Sequence, residues 1–222
     1  MKVLELFAGS RSFSKVAEKY GFETYTTDIE PFEGIDQVCD IFDFDVDQMY
    51  KDFGEPEIVW ASPPCTTFSV SSINCHWGGG KKAYKPKTKR AELGMQIVSE
   101  TISLIQELNP RYFYIENPRG VLRKLDVIKK HNFIRNTVWY CQYYNGEGVN
   151  RAKPTDIWTN DYLWIPKPVC KNGNPDCSHQ PAPRGSRTGT QGLKNAYERS
   201  KVPEKLCEEI LLTPTKRMIW GY

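Results

Sequence analysis

The chain has 222 residues, 39% of them hydrophobic and 26% charged, with a net charge of +3. That length predicts one domain, or one domain with a small appendage, able to bury a core without disulfides, and that composition excludes general disorder. No apolar stretch approaches the roughly 20 residues of a membrane span, and the N-terminus Met1-Lys2-Val3-Leu4-Glu5-Leu6-Phe7 lacks a signal-peptide pattern. No membrane partner is therefore expected. Without an export signal, the seven cysteines are expected as reduced thiols, metal ligands or a nucleophile rather than a disulfide frame.

In chain order, residues 2–7 predict a short buried strand, followed by Gly9 and a helix over 12–20 that Gly21 stops. Residues 22–28 predict a second strand, 37–41 a short third and 57–61 a fourth, ended by Pro63-Pro64. Residues 66–89 lack periodicity and carry three successive glycines, which predicts a long loop of the kind used as a lid or binding element. Leu93, Ile97, Ile102, Ile105 and Leu108 give helical spacing over 90–108, closed by Asn109-Pro110. Residues 112–115 predict a fifth strand, and Pro118 the first turn of a helix running toward Lys130. Residues 133–144 and 155–159 predict a closing strand pair, and 203–212 a last helix with Ser200 as its possible cap. This alternation predicts an α/β fold, a mostly parallel sheet with helices on both faces.

Charge is unevenly spread. The chain is acidic between Phe22 and Glu57 and basic from Lys81 to Arg90 and from Arg184 to Arg199. Each run alone is most simply a solvated face; the two basic runs also fit loops that grip a phosphate backbone.

Ligands of such sheets sit at the carboxyl ends of the strands. Gly9 follows the first strand and Asp28 ends the second, an outline of a nucleoside site: a tight turn, then a carboxylate for ribose hydroxyls. An ordinary strand–turn–helix junction explains the pair equally well. Ser62-Pro63-Pro64-Cys65 follows the fourth strand and Ile115-Glu116-Asn117-Pro118 the fifth, so a cysteine and a glutamate face one cleft. Singly, Cys65 could be a small buried apolar residue and Glu116 a helix-start carboxylate. Jointly they point to catalysis.

These segments resemble the cytosine-C5 DNA methyltransferases, which use S-adenosylmethionine. The matching stretches are Leu4-Glu5-Leu6-Phe7-Ala8-Gly9-Ser10, Asp28-Ile29, Cys39-Asp40-Ile41, Ala61-Ser62-Pro63-Pro64-Cys65-Thr66-Thr67-Phe68-Ser69 and Glu116-Asn117-Pro118-Arg119-Gly120. Asn150-Arg151-Ala152-Lys153-Pro154-Thr155 and Arg199-Ser200-Lys201-Val202-Pro203 match more loosely. The order is the family's own, and the size resembles the small enzymes of phages and prophages. The resemblance implies the seven-stranded methyltransferase sheet, a cytoplasmic location in a bacterium or phage-infected host, and a monomer acting on DNA, either duplex with a flipped cytosine or single-stranded.

It also implies roles. Cys65 is the nucleophile that adds to carbon 6 of cytosine as a thiolate. Glu116 supports the base at N3, which requires a carboxyl that holds a proton through burial. Asn117 holds the loop bearing the nucleophile, and Arg151, Lys153 and Thr155 match a basic motif contacting the base and its phosphate. Phe7, Ala8, Gly9, Ser10, Asp28, Ile29, Asp40, Ile41 and Pro63 match cofactor-binding positions. Pro118 stands where the family more often has Val, Thr66 replaces a usual Gln, and Ser10-Arg11-Ser12 departs from a glycine-richer pattern. If the substrate is a duplex, the loop 68–89 closes over the flipped base, with Ile73, Asn74, His76 and Trp77 as insertion candidates and Lys81 to Lys89 on phosphates. Trp77 could equally pack beneath that loop.

Outside this core, Cys170, Cys177 and His179 lie in a Pro-rich stretch, and Cys141 on the preceding strand could complete a tetrahedral zinc set. The alternative is metal-free surface residues. The resulting division is a catalytic core over 1–160, a small Cys/His/Pro-rich insert over 161–193 in place of a recognition domain, and a C-terminal segment over 194–222 completing the core. So small an insert implies a short or loose target sequence, since each good bidentate base contact gives only about 1–3 kcal/mol of discrimination. Two rival functions are the same chemistry on RNA or a free cytosine nucleotide, and a catalytically silent DNA-binding relative. Intact Cys65 and Glu116 argue against silence, and the basic loops against a free nucleotide.

Overall fold

The computed structural model describes residues 1–79, 84–171, 173–179 and 195–220. Its strands are β1 (Lys2–Leu6), β2 (Glu23–Asp28), β3 (Gln37–Val38), β4 (Ile58–Ala61), β5 (Trp77–Gly78), β6 (Lys85–Pro86), β7 (Tyr112–Pro118), β8 (Ile134–Trp139) and β9 (Pro154–Thr159). Its helices are α1 (Ser12–Lys19), α2 (Val46–Asp52), α3 (Ile73–His76), α4 (Lys89–Leu108), α5 (Asp126–Lys129), α6 (Ala196–Ser200) and α7 (Glu204–Trp220). The main sheet has seven strands in the order β3-β2-β1-β4-β7-β9-β8. Pairing is parallel from β3 through β7, while β9 runs antiparallel to both its neighbours. The strand order reverses between β1 and β4, and in open α/β sheets a crevice opens at that reversal, beyond the carboxyl ends.

Two apolar layers sandwich the sheet. Leu4, Leu6, Val59, Ala61 and Ile115 pack on one face with Val98, Ile102 and Ile105 of α4. Val3, Ile58, Trp60 and Tyr114 pack on the other with Phe13 and Val16 of α1 and Leu206 and Ile210 of α7. Adjacent residues of one strand thus serve opposite layers, as the two-residue period of a strand requires. Because both faces are covered, β4 is buried throughout and carries no polar alternation. Helix α4 starts on Thr88, whose hydroxyl accepts from Ala91 N, and ends on Asn109 in the left-handed region, ahead of Pro110. Arg11 gives α1 no side-chain cap. The buried carboxylate of Glu5 accepts from Phe13 N and Ser14 N instead, satisfying N–H groups that a helix start leaves open.

Several expectations change. Pro118 opens no helix: β7 runs on to it, because Glu116, Asn117 and Pro118 pair with Ile157, Asp156 and Thr155 of β9. Only a 3-10 turn over Leu122–Lys124 and the short α5 follow. Cys141 lies in a 3-10 turn (Tyr140–Tyr143) rather than on the strand, since β8 stops at Trp139. Ser200 ends α6 and its hydroxyl bonds Tyr197 O, so it does not cap the last helix, which extends to Trp220. Loop 66–89 has structure of its own: a 3-10 turn, α3 and the hairpin β5–β6. Trp77 is buried there against Phe68 and donates to Thr67 O at 2.7 Å, so packing claims the side chain proposed for insertion. The basic positions Lys81 and Lys82 and residues 180–194, including most of the second basic run, lie outside the described residues.

Candidate active site

The segment after β4 carries Cys65 and lies beside the end of β7. Asn117, fully buried, donates from Nδ2 to Pro63 O at 2.9 Å and ties the two strand ends together. Farther along, Val121 N donates to Phe68 O at 2.8 Å. Gly120 is obligatory at this join: a Cβ there would stand 2.0 Å from the Phe68 carbonyl oxygen. Burial raises the Cys65 thiol above the usual range and Glu116 adds to that shift, while the cations of Lys153 and Arg199 oppose it.

Glu116 is buried, and its Oε1 accepts from Tyr140 Oη at 2.8 Å and lies 3.5 Å from Lys153 Nζ. The Tyr140 ring packs against both cations, 4.7 Å from Lys153 Nζ and 5.7 Å from the Arg151 guanidinium. Burial and the neighbouring Glu116 hold the phenol strongly protonated. Arg151 donates to the carbonyls of Glu198, Arg199 and Lys201, and Lys153 to that of Arg199. Arg151, expected toward base and phosphate, thus fastens α6 to the cleft wall. Thr155 is fully buried on β9. No local sequence pattern marks Tyr140: it looks like another aromatic of a closing strand.

The other half of the crevice lies at the ends of β1, β2 and β3. Phe7 and Gly9 both take left-handed φ, 58° and 48°, which turns the chain sharply out of β1. Phe7 has a side chain and still adopts this conformation, a strain that structures retain mainly at functional turns. Gly9 N donates to Asp28 Oδ2 at 2.9 Å, and Glu30 N to Asp28 Oδ1 at 3.0 Å. Ala8 and Ser10 are buried within the turn, whereas Ile29 beside Asp28 leaves 62% of its surface exposed. Asp40 accepts from Phe42 N at 3.2 Å, Ile41 is buried behind it, and Pro63 is buried across the crevice. Phe32 packs at a tilt against Tyr197 of α6, with centroids 5.7 Å apart, and Val202 N donates to Ser12 Oγ at 3.2 Å. The segment 195–202 therefore touches both halves. Among the described residues, no helix is long and apolar enough to cross a membrane.

Comparisons with known proteins agree with this layout. The chain is 27% identical over 221 residues to a protein of Frog virus 3 (isolate Goorha) named "Probable DNA (cytosine-5)-methyltransferase", covering 95% of this chain and 99% of that one. A solved structure from an E. coli prophage, named "putative DNA modification methyltransferase", superposes with a TM-score of 0.52 at 15% identity. It covers 77% of this chain, which spans only 52% of that longer one, so the likeness speaks for the fold alone. The family model of C-5 cytosine-specific DNA methylases matches residues 1–145, which hold both strand-end motifs and the crevice between them. The chain belongs to the C-5 cytosine-specific DNA methylase family.

Proposed function

We propose that the chain methylates carbon 5 of cytosine in DNA through a transient bond between Cys65 Sγ and carbon 6 of the base. The observation that carries this reading is the convergence of Cys65, Glu116 and Lys153 at two adjacent strand ends. S-adenosylmethionine supplies an electrophilic methyl group when bound. The crevice residues suit its nucleoside. Asp28 is held by two backbone N–H groups and keeps acceptor capacity for hydroxyls. Gly9 offers room for close approach: the nearest atom to a Cβ built there would be Asp28 Oδ2, at 3.8 Å. Exposed Ile29 provides an apolar flank.

The chain's own steps follow from its chemistry. The Cys65 thiol loses its proton to water and the thiolate forms an S–C6 bond. The C5–C6 π electrons move onto carbon 5, which would take the methyl group as the methyl's bond to the sulfonium sulfur breaks, the electron pair staying on that sulfur as a neutral thioether. Loss of the C5 proton to water then restores the double bond and expels the thiolate. Burial makes the thiolate costly, and Lys153 and Arg199 offset part of that cost. Glu116 supports the base at its N3 side and is itself positioned by Tyr140 Oη and Lys153. Asn117 fixes the Pro63 carbonyl, and with it the path of the segment that aims Cys65. The insert over 161–193 is the recognition element in this reading, and residues 194–222 complete the cleft.

Trapping tests it. DNA in which cytosine carries fluorine at carbon 5 cannot lose the C5 proton, so a stable protein–DNA adduct should form only with cofactor present. Cys65→Ser should abolish the adduct, because a hydroxyl is a weak nucleophile without an activating base, while Cys75→Ser should leave it intact. Failure of the wild-type chain to trap DNA, or an adduct that survives Cys65→Ser, rejects the reading. Parallel RNA and nucleotide arms identify the substrate class.

A further inference from the structure

A second chemical cluster lies behind the Tyr140 wall and takes no part in the methyl-transfer scheme. Cys141, Cys170, Cys177 and His179 bring one ligand atom each to within 4.8 Å of all the others. His179 Nδ1 lies 3.0 Å from Cys177 Sγ and 3.5 Å from Cys170 Sγ. Cys141, Cys170 and His179 are buried and Cys177 half-buried. Three sulfurs and one imidazole nitrogen are a donor set of structural zinc. A tetrahedron with Zn–S near 2.3 Å and Zn–N near 2.0–2.1 Å has edges of about 3.5–3.8 Å, so the four atoms already stand close to the required spacing.

The surroundings are those of a ligand loop. Asn174 N bonds Lys171 O at 3.1 Å and Cys177 N bonds Asn174 O at 3.2 Å, which turns the chain tightly between the two cysteines. Asn174 Nδ2 also donates to Cys170 Sγ at 3.6 Å, an outer contact of the type that orients a metal-bound sulfur. Lys167 also ties the segment to the turn that carries Cys141, its N donating to Tyr143 Oη at 2.9 Å and its Nζ to Gln142 O at 3.1 Å, but these are polar contacts at one residue. Trp164 enters the core and donates to Glu209 at 3.0 Å. From Ile165 to His179, the only buried residues among those described are Cys170 and His179, two members of the cluster. Ile165 and Val169 are largely exposed, so apolar packing does not fix this stretch. A chain segment with no core of its own needs a staple, and a metal is one of the few available.

We propose that Cys141, Cys170, Cys177 and His179 bind one zinc ion that fastens the 165–179 segment to the rear of the catalytic wall. Cys141 directly follows Tyr140, whose hydroxyl reaches Glu116. Asn150 Nδ2, one residue before Arg151, donates to Ser178 Oγ at 3.0 Å, one residue before His179. The ion would thereby close both ends of the 141–151 loop onto the same segment. This makes it a positioning device and gives it no role in bond making. The site stands independently of the methyl-transfer reading.

Metal content of the full chain, purified without added zinc, tests the proposal. About one zinc per chain is expected, as a four-ligand structural site requires. Cobalt exchanged into the wild-type protein should give the intense visible bands of a tetrahedral thiolate site. Cys177→Ser should cut zinc retention after dialysis against a chelator to background, while Cys75→Ser should retain it. If Cys177→Ser does not fold, Cys177→His, which keeps a ligand, should restore both folding and metal. A wild-type chain that holds no zinc and gives no tetrahedral cobalt spectrum overturns the proposal. So does zinc retained in full by Cys177→Ser, or an intact mass showing a disulfide between any two of the three cysteines.

Discussion

Two buried carboxylates, Glu5 and Glu116, sit in the crevice strands and are held in opposite ways. Glu5, on β1, is held by the peptide N–H groups of Phe13 and Ser14, only eight and nine residues away. Glu116, on β7, is held by a phenol and a lysine from β8's end and the approach to β9. The first arrangement joins a strand to the helix that follows it and serves the turn between them. The second gathers ionisable side chains from distant segments around one oxygen, an expensive arrangement in a low-dielectric interior unless the charges are used. The half of the crevice proposed for the cofactor is thus made of local backbone turns, and the half proposed for the base of a long-range side-chain network.

Glu5 gives the largest test of this contrast. Burial pushes its carboxyl up from 4.5 to about 7, against the lowering effect of its hydrogen bonds to Ser14 and Phe13. A raised folded-state pKa means that the folded chain holds the proton more tightly than the unfolded chain. Its stabilising contribution is complete below about pH 4.5 and is lost as pH rises to about 7, a change of roughly 3 kcal/mol. Glu5→Gln mimics the protonated form, so its stability relative to wild type should rise by that amount across the window. Urea denaturation at several pH values measures it. A difference that stays flat between pH 4.5 and 7 would show that Glu5 is not held as described.

The two halves should also separate in kinetics. Tyr140→Phe removes the hydroxyl from Glu116 and keeps the ring under Lys153 and Arg151. A hydrogen bond to a charged group is worth about 1.5–3 kcal/mol, so kcat should fall by roughly 10- to 100-fold with cofactor affinity nearly unchanged. Asp28→Ala should do the reverse, weakening cofactor binding about tenfold, the equivalent of about 1.4 kcal/mol, and sparing turnover at saturation. Calorimetry with single-turnover methyl transfer distinguishes the two. If both variants change affinity alone, the side-chain network has no special part in the chemistry.

The contrast also explains what the sequence could reveal. Strand β4 is legible because burial on both faces leaves a continuous apolar run ended by Pro63-Pro64, and β1 because Val3, Leu4, Leu6 and Phe7 make an apolar run, interrupted by Glu5, that ends near Gly9. The cofactor half is legible because its contacts lie near the strand ends that carry them. The base half is legible only in its two strand-end motifs. Tyr140 reaches Glu116 from 24 residues away, and Arg151 reaches α6 from nearly 50; no local pattern encodes either distance. Pro118 misled for a related reason. A proline after a buried strand fits a helix start, yet the edge of β7 was already claimed by β9, whose pairing is decided far along the chain.

The smallest effect concerns the proton of Cys65, the proposed nucleophile. Burial raises the Cys65 thiol, so at neutral pH the resting chain holds it mainly as the neutral form. Alkylation follows the thiolate fraction, and its rate at Cys65 should therefore climb with a midpoint above that of an ordinary thiol. Lys153 works against burial, so Lys153→Met should move the midpoint still higher and slow alkylation at any fixed pH below it. Lys153→Arg keeps the charge and should move it less. Exposed Cys75 would react first, so the measurement belongs in a Cys75→Ser background, with the modified Cys65 peptide followed by mass spectrometry. A Lys153→Met curve that coincides with that of the parent would mean that the lysine's charge does not reach the thiol. Its contact with Glu116 would then be a link within the wall alone, and the base half would lose the feature that sets it apart from the local, backbone-held half.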